Sequence, residues 1–161
     1  MTAERPPSSP ACLAHEADDA YMGYATRAEL AAFLNELLEA ERAGTRVALR
    51  SAEAGQGTPY AELLRDVHKD EAHWCAMLLK QLKRLDQPAS TKVGGFQGKC
   101  LAIEGMPERL AFLNRGQGWV VRKLKEMLPK VRDDHLHSDL SAMLKSHETN
   151  IQRTNDVLQR R

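Results

Sequence analysis

The stretch QPASTKVGGFQGKCLAIEG, residues 87–105, decides how this chain is wired. Its clustered glycines leave room for no more than a short helix. On either side the sequence returns to long patterns of helical period, about 59–85 before it and about 107–128 after it. The other two connections are short. Gly55 and Gly57 stop a first helix of about 27–53, and Pro129 separates the third helix from a fourth at about 134–159. Short links make antiparallel hairpins, whereas a link of about twenty residues can travel the length of a bundle. The spacing therefore predicts two helical hairpins joined by a long crossover, with no strand.

Local signals agree with these limits. Thr26-Arg-Ala-Glu29 has the capping-box spacing, in which the Thr and Glu side chains satisfy the first free amides of a helix. Thr58-Pro59 reads as a cap followed by proline at the first helical position. Pro107 opens the third helix, and Asp133 or Asp134 caps the fourth. Residues 1–25 are rich in Pro, Ser and Ala and read as a loose arm. Its Leu13, Tyr21, Met22 and Tyr24 offer points of docking on the body at 26–161.

A chain of 161 residues suits one domain with a real core. The formal net charge of +1 leaves no electrostatic footprint for nucleic acid, and 5% aromatic content provides no stacking surface for bases. No apolar run is long enough to span a membrane, and the N-terminus lacks the apolar core of a secretory signal. Cys12, Cys75 and Cys100 form neither a disulfide framework nor a metal clip, so reduced thiols in a cytoplasmic protein are expected.

At about 100° per residue each helix shows one apolar stripe, and each stripe is broken by one polar residue. Glu41 interrupts Leu30, Leu34, Leu37 and Ala48, and Glu71 interrupts Leu64, Val67, Trp74 and Leu78. Gln117 stands among Leu110, Leu113, Val121 and Leu124, and His147 among Leu140, Met143, Ile151 and Leu158. All four fall near mid-helix, so antiparallel packing brings them to one level. Two buried carboxylates side by side need compensation. One divalent cation (Fe, Mn or Zn) bound by Glu41, Glu71, His147 and the Gln117 amide would supply it. A metal-free network would as well, with one glutamate protonated, His147 charged and Gln117 bridging.

Gly116 and Gly118 flank Gln117, and each costs a helix interior about 1 kcal/mol relative to Ala. They are expected to make room beside Gln117, or only to permit tight helix packing, and Gly44 stands similarly one turn after Glu41. Asn114 and His68 lie close enough to the stripes to support the layer as outer partners.

The motifs LLEAERAG, DEAHWCAML, LAFLNRGQGWVVRKL and MLKSHETNI resemble a small, uncharacterised bacterial family within the ferritin-like superfamily. The resemblance implies an all-α, ferritin-like four-helix bundle with one long crossover, the connectivity expected from the link lengths. Di-iron members carry Glu, Glu-x-x-His, Glu and Glu-x-x-His on successive helices. On that pattern Glu41, Glu71 and His147 match, Gln117 replaces a glutamate, Trp74 replaces a histidine and Leu144 replaces a glutamate. The depleted set implies either a mononuclear metal protein, with redox activity on a small oxidant, or a non-catalytic structural or interaction module that keeps a polar layer. Asp70 and His73 give an alternative carboxylate-x-x-His register, but His73 then points roughly 135° from the stripe.

Other features are more ordinary. Asp133 to Asp139 collects acids and histidines where helix capping explains them, and Cys75 reads as an inert thiol near the core. Phe112 and Trp119 lie on the outer side of the third helix. They are expected to be partly covered by the arm or crossover and to contribute to a homodimer contact.

Overall fold

The structure, a computed structural model, describes residues 18–160; Leu13 and Cys12 lie outside the described residues. Among the described residues five α-helices follow in order: α1 (Arg27–Ala54), α2 (Tyr60–Arg84), α3 (Phe96–Leu101), α4 (Met106–Met127) and α5 (Asp134–Gln159), with a 3₁₀ turn at Leu128–Lys130. Among the described residues there is no strand, and no helix is long and apolar enough to cross a membrane.

The helix starts follow local chemistry. Thr26 Oγ1 accepts the Glu29 amide at 3.2 Å, and Glu29 Oε2 accepts the Thr26 amide at 2.8 Å, which completes the capping box. Asp133 accepts the Leu136 amide at 2.7 Å and starts α5. The start of α2 differs from the sequence reading. Pro59, not Thr58, is its N-cap, and the Thr58 hydroxyl instead donates to the Gly55 carbonyl at 2.5 Å. The Thr58 amide donates to the same carbonyl at 3.0 Å, so Thr58 belongs to the turn, and no side chain caps the start of α2.

Packing divides the interior in two. One apolar cluster joins the first half of α1 to the second halves of α2 and α4 and the start of α5, through Leu34, Leu37, Leu78, Leu124, Leu140 and Met143. The other joins the far end of α1 to the first halves of α2 and α4, through Val47, Ala48, Leu64, Val67, Leu110 and Leu113. Each hairpin is therefore antiparallel, and α2 runs in the same direction as α4. The crossover makes that possible by lying along α1. Asn35 is bonded to it on both sides, its Nδ2 donating to the Pro88 carbonyl at 3.0 Å and its Oδ1 accepting the Ser90 amide at 2.7 Å. Further along, Arg42 donates to the carbonyls of Ser90 and Lys92, and the Gly94 amide donates to the Glu39 carbonyl at 3.1 Å. The crossover then turns into α3, whose Cys100 is buried in the second cluster.

The described end of the arm is tied down. The Ala25 amide donates to the Lys130 carbonyl at 2.8 Å, Asp19 pairs with Arg132 at 2.8 Å, and Tyr24 lies beneath the Arg132 guanidinium. Tyr21 stays 84% exposed, so it contributes nothing to this docking.

Candidate metal centre

Between the two apolar clusters each of the four long helices contributes to one buried polar layer: Glu41 from α1, Glu71 from α2, Gln117 from α4 and His147 from α5. None is more than 4% exposed. Apolar residues one turn away on each helix bury the stripe, so the polar group at mid-helix goes inside with it.

His147 is held by its own helix. Its Nδ1 donates to the Met143 carbonyl at 3.0 Å, which turns Nε2 towards Glu41 Oε1, also at 3.0 Å. A backbone acceptor on one ring nitrogen is the usual way a ligating histidine is oriented. Glu71 is seated by Gly44. A Cβ at Gly44 would stand 2.6 and 2.7 Å from the two Glu71 carboxylate oxygens, so the missing side chain is the space the carboxylate occupies.

One ligand atom each from Glu41, Glu71 and His147 lie within 4.8 Å of one another, the one such group among the described residues. Around them, Glu41 Oε2, Glu71 Oε2 and both amide atoms of Gln117 are buried without a hydrogen-bond partner. Four orphaned atoms in one layer are costly, since each forfeits about 1–3 kcal/mol of hydration without a replacement. Burial first, then the neighbouring charges of Glu41 and Asp70, hold the Glu71 carboxyl well above the usual carboxylate range. Burial works against a charged His147, but the adjacent Glu41 charge and the hydrogen bond to it outweigh that effect and raise its pKa.

The donors suit a divalent cation. Two ligand atoms each about 2.1 Å from one ion stand at most about 4.2 Å apart; the hydrogen-bonded His147 Nε2 and Glu41 Oε1, at 3.0 Å, lie inside that limit, and the three ligand atoms, within 4.8 Å of one another, would draw slightly together around an ion. Two carboxylates neutralise the charge, and imidazole nitrogen with amide oxygen makes the mixed set that Fe, Mn and Zn accept.

The layer forms the floor of a cavity of about 350 Å³. Ala40, Phe96, Leu113, Trp119 and Val120 make its walls, Glu36 and Glu39 stand at its edge, and Gly94 and Gly95 of the crossover close one side.

The residues expected to support the layer turn elsewhere. Asn114 donates to Asn155 Oδ1 at 2.9 Å and to the Ile151 carbonyl at 3.4 Å, bracing α4 against α5. His68 donates from Nδ1 to the Thr45 carbonyl at 3.0 Å, tying α2 to α1. Asp70, next to Glu71 in sequence, accepts from Asn150 Nδ2 at 3.0 Å and contributes only its charge. Of the two readings for the glycines of α4, Gly116 follows the tight-packing one. A Cβ on Gly116 would meet the Phe96 ring at 2.8 Å, so Gly116 makes room for the crossover rather than for Gln117. Gly118 has no neighbour closer than 3.6 Å to such a Cβ.

Phe112 and Trp119, the residues expected at a homodimer contact, are both half-buried. Phe112 stacks on Phe96 at 5.0 Å between centroids, and Trp119 lines the cavity. Sequence reasoning missed Phe96 and the cavity it encloses; the only available signal was an aromatic residue inside a glycine cluster. The acidic run at the start of α5 is structural: His135 and Asp139 both contact the buried Gln81 amide, at 2.9 and 2.6 Å. Burial raises the thiols of Cys75 and Cys100 to about 11.

The model of a protein family described as "Domain of unknown function (DUF6306)" matches residues 28–156, from the first turn of α1 almost to the end of α5. No curated protein and no solved structure matches the chain.

Proposed function

We propose, for a chain that belongs to the family described as "Domain of unknown function (DUF6306)", a ferritin-like four-helix bundle that holds one divalent metal ion. Glu41, Glu71 and His147 are the ligands, with the Gln117 amide oxygen as a weaker fourth. The observation that carries this reading is the set of orphaned atoms. In a self-sufficient polar layer Gln117 would bridge its neighbours, yet both of its amide atoms are buried without a partner. The crossover lying along α1 and the placement of one polar residue on each long helix support the ferritin-like part of the reading.

The same residues argue for one ion rather than two. Where a di-iron pattern has a second histidine, Trp74 donates its indole N–H to Ser146 Oγ at 3.2 Å. Where it has a further glutamate, Leu144 packs against the first apolar cluster. A bound Fe or Mn would supply one-electron chemistry, and Zn would supply a Lewis acid. The protein's own part is to orient His147 through Met143, to seat Glu71 against Gly44, and to surround both carboxylates with apolar side chains.

A second reading, a metal-free structural or interaction module, draws on the 3.0 Å contact between His147 and Glu41 and on the raised Glu71 pKa. There Glu71 is neutral and His147 carries the charge shared with Glu41.

Elemental analysis of tag-free protein, purified without chelator, separates the two. Near-stoichiometric Fe, Mn or Zn that is lost in both Glu41→Gln and His147→Gln supports the metal protein. A folded protein without metal, or one whose metal content neither change alters, removes that reading.

A further inference from the structure

The layer opens into a cavity that the choice of ligands does not explain. Its volume of about 350 Å³ falls in the range of small-molecule sites. A dry cavity of about 150 Å³ already holds a benzene ring, so this one has space for one or two fused rings. The walls are aromatic and aliphatic, from Phe96, Trp119, Leu113 and Val120. Their positions are built in: Gly116 lets the Phe96 ring approach α4, and the bonds of Asn35, Arg42 and Glu39 to the crossover hold that wall in place.

Charge narrows the occupant. Four carboxylates line the cavity, Glu36 and Glu39 at its edge and Glu41 and Glu71 on its floor, and no Lys or Arg does. Lys123 lies outside the lining and pairs with Glu36 at 3.6 Å, while Ser90 Oγ donates to Glu39 at 2.5 Å, so both edge carboxylates are fixed in place. With Lys123 set against Glu36, and His147 or a bound cation set against the floor carboxylates, the cavity keeps a surplus negative charge, chiefly that of Glu39, which disfavours an anion.

We propose that this cavity binds a small, largely apolar molecule without negative charge, one or two rings in size, with its polar end directed at the Glu41, Glu71, Gln117 and His147 floor. This deepens the metal reading by naming the class of molecule presented to the centre, and it rests on that reading for what the pocket serves. Occupancy itself can be read without the ion.

The test is calorimetric titration of the full chain, treated with chelator, using benzyl alcohol, benzylamine and benzoate, which share a ring and a similar size. The alcohol and the amine should bind at least about tenfold more tightly than benzoate. Gly95→Leu, at a position where a Cβ meets nothing within 4 Å, should weaken the alcohol by about tenfold or more. Ala40→Phe, which fills the cavity from α1, should do the same, and if that variant does not fold Gly95→Leu alone decides. Absence of alcohol binding, benzoate binding as tightly as the alcohol, or no effect of Gly95→Leu overturns the proposal. Metal content is measured on untreated protein from the same preparation. Protein without metal that still selects the alcohol retires the metal centre and keeps the pocket; metalled protein that ignores it does the reverse.

Discussion

Gly44 of α1 and the Glu71 carboxylate of α2 occupy one another's space: a Cβ on Gly44 would lie 2.6 Å from Glu71 Oε2. Gly44→Ala therefore combines a helix-propensity gain of about 1 kcal/mol with displacement of a buried carboxylate. The far end of a flexible side chain can yield, so the stability of metal-free protein should change by no more than about 1 kcal/mol. A ligand moved from its place should cost metal affinity about 10–100-fold. Urea unfolding and competitive metal titration on the same variant test both halves.

Glu71→Leu removes a buried carboxyl that burial and the Glu41 and Asp70 charges hold well above its ordinary range. Replacing an uncompensated buried acid with an apolar group of similar size should stabilise the chelator-treated protein by about 1–3 kcal/mol. The metal-loaded parent should keep its advantage in excess metal, because binding to the native state alone adds stability. A loss of more than about 2 kcal/mol in the metal-free variant would show that Glu71 is satisfied in a way the structure does not display.

Stability and metal affinity should depend on pH in opposite directions. Glu71 and His147 both have folded pKa values raised above their ordinary 4.5 and 6.5, so the folded state holds more protons than the unfolded chain. Their contribution is complete below those unfolded values and is lost as pH rises through the folded ones. Metal-free protein should thus unfold at lower urea at pH 8.5 than at pH 6. Metal binding must expel the same protons, so affinity should rise over that interval. Parallel trends would contradict the assignment of these two groups as ligands.

The two glycines beside Gln117 should respond oppositely to alanine. Gly118→Ala meets nothing closer than 3.6 Å and should stabilise α4 by about 0.5–1 kcal/mol. Gly116→Ala drives a methyl into the Phe96 ring at 2.8 Å, displacing α3 and Phe112 with it, and should destabilise by about 1–3 kcal/mol. Denaturant midpoints for the pair check the assignment.

Cys75 and Cys100, with thiols raised to about 11, should alkylate slowly in native protein. At pH 8 only about one thiol in a thousand is ionised at such a pKa. Peptide mapping after iodoacetamide should show both nearly unlabelled, and readily labelled once urea is added.

Periodicity and capping residues were enough to show the all-helical class and to mark Glu41, Glu71, Gln117 and His147 as polar breaks in apolar stripes. Those features depend on neighbours within one or two turns, and the helical repeat sets the angle of each side chain about its axis. Resemblance suggested the superfamily and the depleted ligand pattern, but not the surroundings of each ligand. What lies between elements needed the tertiary structure. Nothing local in the chain says that Asn114 meets Asn155, that His68 meets the Thr45 carbonyl, or that Gly116 accommodates Phe96 from twenty residues away. The cavity is likewise invisible to any pattern, because it is the space left where α1, α4 and the crossover fail to touch. A repeat fixes direction around a helix; rotamer, partner and empty space are set only when the helices pack.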